Sequence, residues 1–120
     1  MNDLPAALMP REKLLAQGAA ALAETLRTTD PQTPTWTFGP PPRLVSFWGR
    51  RQAHETAIHR VDAQQAAGVP PELDPALAAD GVDEVATMFF PRQVRLERIP
   101  PLPAGLRIVL TDVPGAVFVL

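Results

Sequence analysis

The chain has no cysteine, which excludes disulfides, thiolate metal sites and a cysteine nucleophile of its own, so any thiol chemistry would need an external thiol. It has no apolar run near the ~18 residues of a membrane span, and no charged start followed by an apolar core. It also lacks a basic excess: the formal net charge is -2 over 120 residues. Nucleic acid is therefore not an expected partner, and the expected location is the cytoplasm, with no membrane contact. What the chain has in abundance is proline, 15 residues, more than twice the usual ~5%. The prolines cluster at 40–42, 70–71 and 100–103 and cut one domain's length of sequence into segments.

Three of those segments read as helices. From Arg11 to about Arg27, Leu14, Leu15, Ala19, Leu22, Ala23 and Leu26 recur at helical spacing. The alanine-rich surface of this helix suggests close approach to a neighbour. A second helix is expected from about Arg43 to Ala67, stopped by Gly68. Before it, Trp36 and Phe38 lie in a proline-rich loop and are expected to plug one end of the core. Asp74-Pro75 places an acceptor at the N-cap and proline at the first helical position. The third helix is expected to run to Phe90 and end at Pro91, with a kink at Gly81. After Gly105 the pattern turns to strand: residues 106–110 and 116–120 flank Thr111-Asp112-Val113-Pro114-Gly115, which reads as a hairpin turn. A hairpin is not a domain. The fold expected is mainly α, with the hairpin opening something further.

Both histidines lie between Ser46 and Ala63. His54-Glu55 suggests a zincin, but that pattern needs histidines at i and i+4. Here they are five apart, so on one helix the rings point ~140° from each other. The pair that shares a face is Glu55 with His59, since four residues advance ~400°. Trp48, Glu55, His59 and Asp62 follow at helical spacings, which places the pair beside the apolar face. Imidazole and carboxylate are ordinary zinc ligands, yet a catalytic zinc takes three protein ligands. An ordinary surface hydrogen-bonded pair is the competing reading. His54 reads as a packed core histidine or a donor behind a ligand. Arg50, Arg51 and Arg60 could recognise an anion or pair with acids, Asp62 could bond an arginine or His59, and Asp80, Asp83 and Glu84 read as a solvated charge run.

Four stretches, in order, carry a resemblance: Trp36-Thr37-Phe38-Gly39-Pro40, Phe47-Trp48 with Arg50-Arg51, residues 53–63, and residues 77–84. Together they resemble the mycothiol-dependent maleylpyruvate isomerase family of actinobacteria, over about residues 11–120. The resemblance implies a DinB-like four-helix bundle followed by an α/β domain related to sterol-carrier folds. On that basis 1–98 is a partial bundle of about three helices and 99–120 the start of the second domain, in a shortened member. It also implies a divalent metal, typically zinc, held by an early histidine that has no counterpart here and by a Glu/His pair that Glu55 and His59 match. His54, Arg51, Asp62 and Trp48 would support that site or face the substrate. The implied cosubstrate is mycothiol, whose thiol would add to the cis double bond of maleylpyruvate and leave after rotation to give fumarylpyruvate. The runner-up reading is a non-catalytic helical module that forms homo-oligomers to bury its apolar faces.

Overall fold

The computed structural model describes residues 10–120. In chain order it contains α1 (Arg11–Thr28), α2 (Val45–Ala66), α3 (Pro75–Glu84), a π-turn (Val85–Phe89), α4 (Phe90–Arg95), and strands β1 (Arg107–Val109) and β2 (Val117–Val119). The mainly helical class and the C-terminal hairpin expected from the sequence are both present. The strands pair antiparallel with Ile108 opposite Phe118, and Gly115 takes the left-handed φ of 80° that the turn between them needs.

The helix ends follow local chemistry. The first N–H groups of α2 have no side-chain cap; instead Val45 N donates to Thr33 O and Ser46 N to Pro31 O. The 29–44 loop thus folds back over the helix start because its carbonyls satisfy donors that the helix cannot. At the other end Val69 N donates to Gln64 O and Gly68 N to Gln65 O, with Gly68 at φ 69°. This is a Schellman stop, as Gly68 suggests. The N-cap of α3 also matches its sequence signal, with Leu77 N donating to Asp74 Oδ1 at 2.9 Å.

Three expectations need correction. Pro91 does not end the third helix. The chain widens into a π-turn over 85–89 and re-enters an α-helix with Pro91 in its first turn, where a missing N–H is harmless. Trp36 does not plug the core: it is 69% exposed and stacks on Trp48 at 6.0 Å between ring centroids. Phe38 does plug it, meeting Phe47 edge-on at 4.9 Å and Phe89 at 6.0 Å. Finally, α1 buries no residue. It faces α2 across an apolar groove of about 900 Å³ lined by Leu14, Leu22, Leu26, Ala53 and Ala57 among others.

The centre of the α2–α3 pairing is polar. On α2 the buried residues are Arg51, His54 and Ala57, spaced i, i+3, i+6 along one face. Across from them lie Glu84, bonded to Arg51 and His54, and Ala86, which shares a cavity wall with His54 and Ala57; Met88 is buried as well. Ile58, the residue after Ala57, is exposed despite its apolar side chain.

Candidate functional site

Glu55 and His59 stand one turn apart on α2, with Glu55 Oε2 3.3 Å from His59 Nε2. Their surroundings differ from the sequence expectation. His59 is exposed and Glu55 half-exposed, so the pair lies on the solvent side of the helix and not beside its apolar face. The reason is rotational: the face that α2 turns inward is the one carrying Arg51, His54 and Ala57.

Each member of the pair has a charged neighbour behind it. Arg51 Nη2 lies 3.4 Å from Glu55 Oε1, leaving Oε2 to face the imidazole. Asp62 Oδ2 lies 3.4 Å from His59 Nδ1, so that Nε2 is the nitrogen turned to Glu55. A carboxylate on the far nitrogen is the usual way to fix the tautomer and orientation of a metal-binding histidine. Zinc bonds of about 2.0–2.1 Å set at tetrahedral angles put neighbouring donor atoms about 3.3 Å apart, which is the spacing between Oε2 and Nε2. The donor set and its span therefore fit a divalent metal as two of its ligands. Among the described residues no group of three or more His, Asp or Glu side chains converges to complete a shell.

His54 is not part of this pair. It is buried, its Nδ1 contacts Glu84 Oε2, and its Nε2 lies 2.9 Å from Asp80 Oδ2. The Asp80 approach is off the line of a hydrogen bond, so Nε2 makes none. Glu84, expected on a solvated face, is 2% exposed and also accepts from Arg51 Nη1 at 2.6 Å. That correction has a simple origin. Leu77, Gly81, Glu84 and Met88 recur at i, i+4, i+7 and i+11, the inward stripe of the helix, and the carboxylate interrupts that stripe opposite two basic side chains at i and i+3 of α2. This is the signal that the sequence held for Glu84.

Arg50 closes the outer edge of the network, donating from Nε to Asp80 Oδ2 at 2.8 Å and from Nη2 to Asp83 Oδ2 at 2.7 Å. The hydrogen bond from Arg50 holds the Asp80 carboxyl below its ordinary value, against the opposing effect of desolvation. The same bond raises the Arg50 guanidinium further. Arg60 donates to Glu72 O at 2.7 Å, tying α2 to the segment before α3. Trp48, two turns before Glu55, donates from Nε1 to Trp36 O at 2.9 Å and packs edge-on against Phe47 and Phe38. Its contacts are with the aromatic cluster, not with the metal-fitting pair.

Residues 3–64 match the family model described as the mycothiol maleylpyruvate isomerase N-terminal domain. The chain belongs to that family. No curated protein and no solved structure matches. The span matching the mycothiol maleylpyruvate isomerase N-terminal domain contains Trp48, Arg51, His54, Glu55, His59 and Asp62. Asp80, Asp83 and Glu84, which bind the other side of the buried network, lie beyond it.

Proposed function

We propose that this chain is a divalent-metal-binding, mycothiol-dependent member of the family, with Glu55 and His59 as two of the metal's protein ligands. The observation that carries the reading is the 3.3 Å approach of Glu55 Oε2 to His59 Nε2, with Arg51 and Asp62 each engaging the opposite atom. A metal held there would supply the positive charge that keeps a coordinated thiol deprotonated. With no cysteine in the chain, the thiol comes from a small-molecule cosubstrate. The reaction class is cis–trans isomerisation of a small unsaturated organic acid, maleylpyruvate in the family's name. The thiol adds across the double bond, the new single bond rotates, and elimination returns the thiol. The proposal also places residues 1–98 in the helical metal-binding unit, 99–120 at the opening of an α/β domain, and the protein in the cytoplasm. No helix among the described residues is long and apolar enough to cross a membrane.

The test is metal content and affinity of the purified chain. Zinc should bind the parent and be lost from Glu55→Ala and His59→Ala, while His54→Gln retains it if folded. Alanine variants that hold as much zinc as the parent would end the reading.

A further inference from the structure

Glu84 is the most deeply buried charged side chain described, and it lies on a different helix from the pair proposed to hold metal. Its Oε2 accepts from Arg51 Nη1 at 2.6 Å and also meets His54 Nδ1. Both donors sit on one face of α2. Arg51 is a fork between two carboxylates: one terminal nitrogen bonds Glu84, and the other lies 3.4 Å from Glu55 Oε1. The flat side of the fork rests on Phe89, 5.0 Å from the ring centroid. Glu84 and Phe89 thus contact the guanidinium from two sides. Glu55 is 45% exposed at its side chain, and among the described residues Arg51 is the charged neighbour on its Oε1 side.

We infer that Glu84 is a positioning residue for the Glu55–His59 pair, acting through Arg51, so that α3 sets the metal affinity of a site on α2. The inference rests on the metal reading proposed above. The order of contacts is Glu84, Arg51, Glu55, His59, Asp62, and each contact occupies one atom of its partner and leaves the other atom free to face the next group. Removing the first member frees the fork. Glu55 then samples solvent rotamers, and the spacing that matches a metal shell is no longer maintained.

Glu84→Gln keeps the shape and removes the charge, and two measurements on the full chain read its effect. In the metal-free protein, the Glu55 carboxyl carbon and His59 ring nitrogen resonances should both move. In a zinc competition titration the affinity should fall about 10-fold, the scale for partners behind a metal ligand. Asp83→Asn, whose partner is Arg50, should leave zinc affinity unchanged. A folded Glu84→Gln protein with both resonances unmoved and zinc affinity within about twofold of the parent would overturn the inference. A parent that binds no zinc would refute the metal reading instead, while the resonances still decide the role of Glu84. Should Glu84→Gln lose its helical circular dichroism, Arg51→Lys replaces it, keeping the charge but losing the two-pronged fork. The same shifts and the same loss are expected of it, and their absence overturns the inference.

Discussion

Replacing Glu84 by leucine strips two buried donors of their shared acceptor at once. The side chains of Arg51, His54 and Glu84 are only 11%, 6% and 2% exposed, so water cannot take over the lost bonds. Removing one member of a buried ion pair costs about 3–5 kcal/mol, and the added apolar contact of leucine returns part of that. We expect a loss of about 3 kcal/mol, against a total stability of roughly 6–18 kcal/mol for a chain this long. Urea unfolding followed at 222 nm should show the midpoint falling by about 1.5 M, for a slope of about 2 kcal/mol per molar. The double variant Arg51→Met/Glu84→Leu should be less damaged than the sum of its parts by about 2 kcal/mol, because it leaves no unpaired guanidinium. Recovery stays incomplete, since His54 Nδ1 still lacks its acceptor. A Glu84→Leu protein within about 0.5 kcal/mol of the parent, or strict additivity in the double variant, would refute the reasoning.

Three glycines should respond in different ways. A β-carbon at Gly39 would stand 2.5 Å from the Phe47 ring, so Gly39→Ala should cost about 1–3 kcal/mol, read as a lower thermal midpoint. Gly18 in α1 has nothing within 4 Å, and Gly18→Ala should stabilise by about 0.5–1 kcal/mol. Gly68→Ala meets no atom either but forces alanine to φ 69°, and should destabilise by about 1 kcal/mol. Because Arg50 lowers the Asp80 carboxyl in the folded state, its contribution is complete above the ordinary carboxylate range and fades as pH falls through the lowered value. The gap in stability between parent and Asp80→Asn should therefore be constant near neutrality and close in acid. At a half-exposed carboxylate that gap is roughly 0.5 kcal/mol. Iodide should quench the exposed Trp36 more than Trp48, and Trp36→Phe should remove most of the quenchable emission.

The elements that the sequence made legible are those decided by local chemistry. Asp74-Pro75, Gly68 and the alternation around 106–120 each state their own backbone requirement, and each element begins or ends where they say. Glu55 and His59 were legible as a pair because helical geometry alone puts them together. What surrounds them was not. Whether a carboxylate on α3 faces water or an arginine depends on how α3 rotates against α2; read as a charge run, Asp80, Asp83 and Glu84 hide that rotation, and only the stripe through Leu77, Gly81, Glu84 and Met88 carries it. Pro91 misled for a related reason: one added residue in the turn at 85–89 shifts the helical phase, so proline falls at a helix start instead of an interior. The exposure of Trp36 depends on the route of the 29–44 loop over the start of α2, which backbone bonds decide and side-chain hydropathy does not.

An 18-residue helix that buries nothing has consequences for how the chain opens. Most of a helix's stability in a protein comes from tertiary packing, and α2, α3 and the π-turn hold nearly all the buried side chains described. The amides of α1 should exchange with solvent on the schedule of a free helix, long before those of the Arg51–Glu84 layer. Unfolding then has two parts: a gradual fraying of α1 that tilts the pre-transition baseline, and a cooperative step that belongs to α2 and α3. A free energy fitted to that step measures how firmly the two helices are clasped, and α1 contributes only to the slope in front of it.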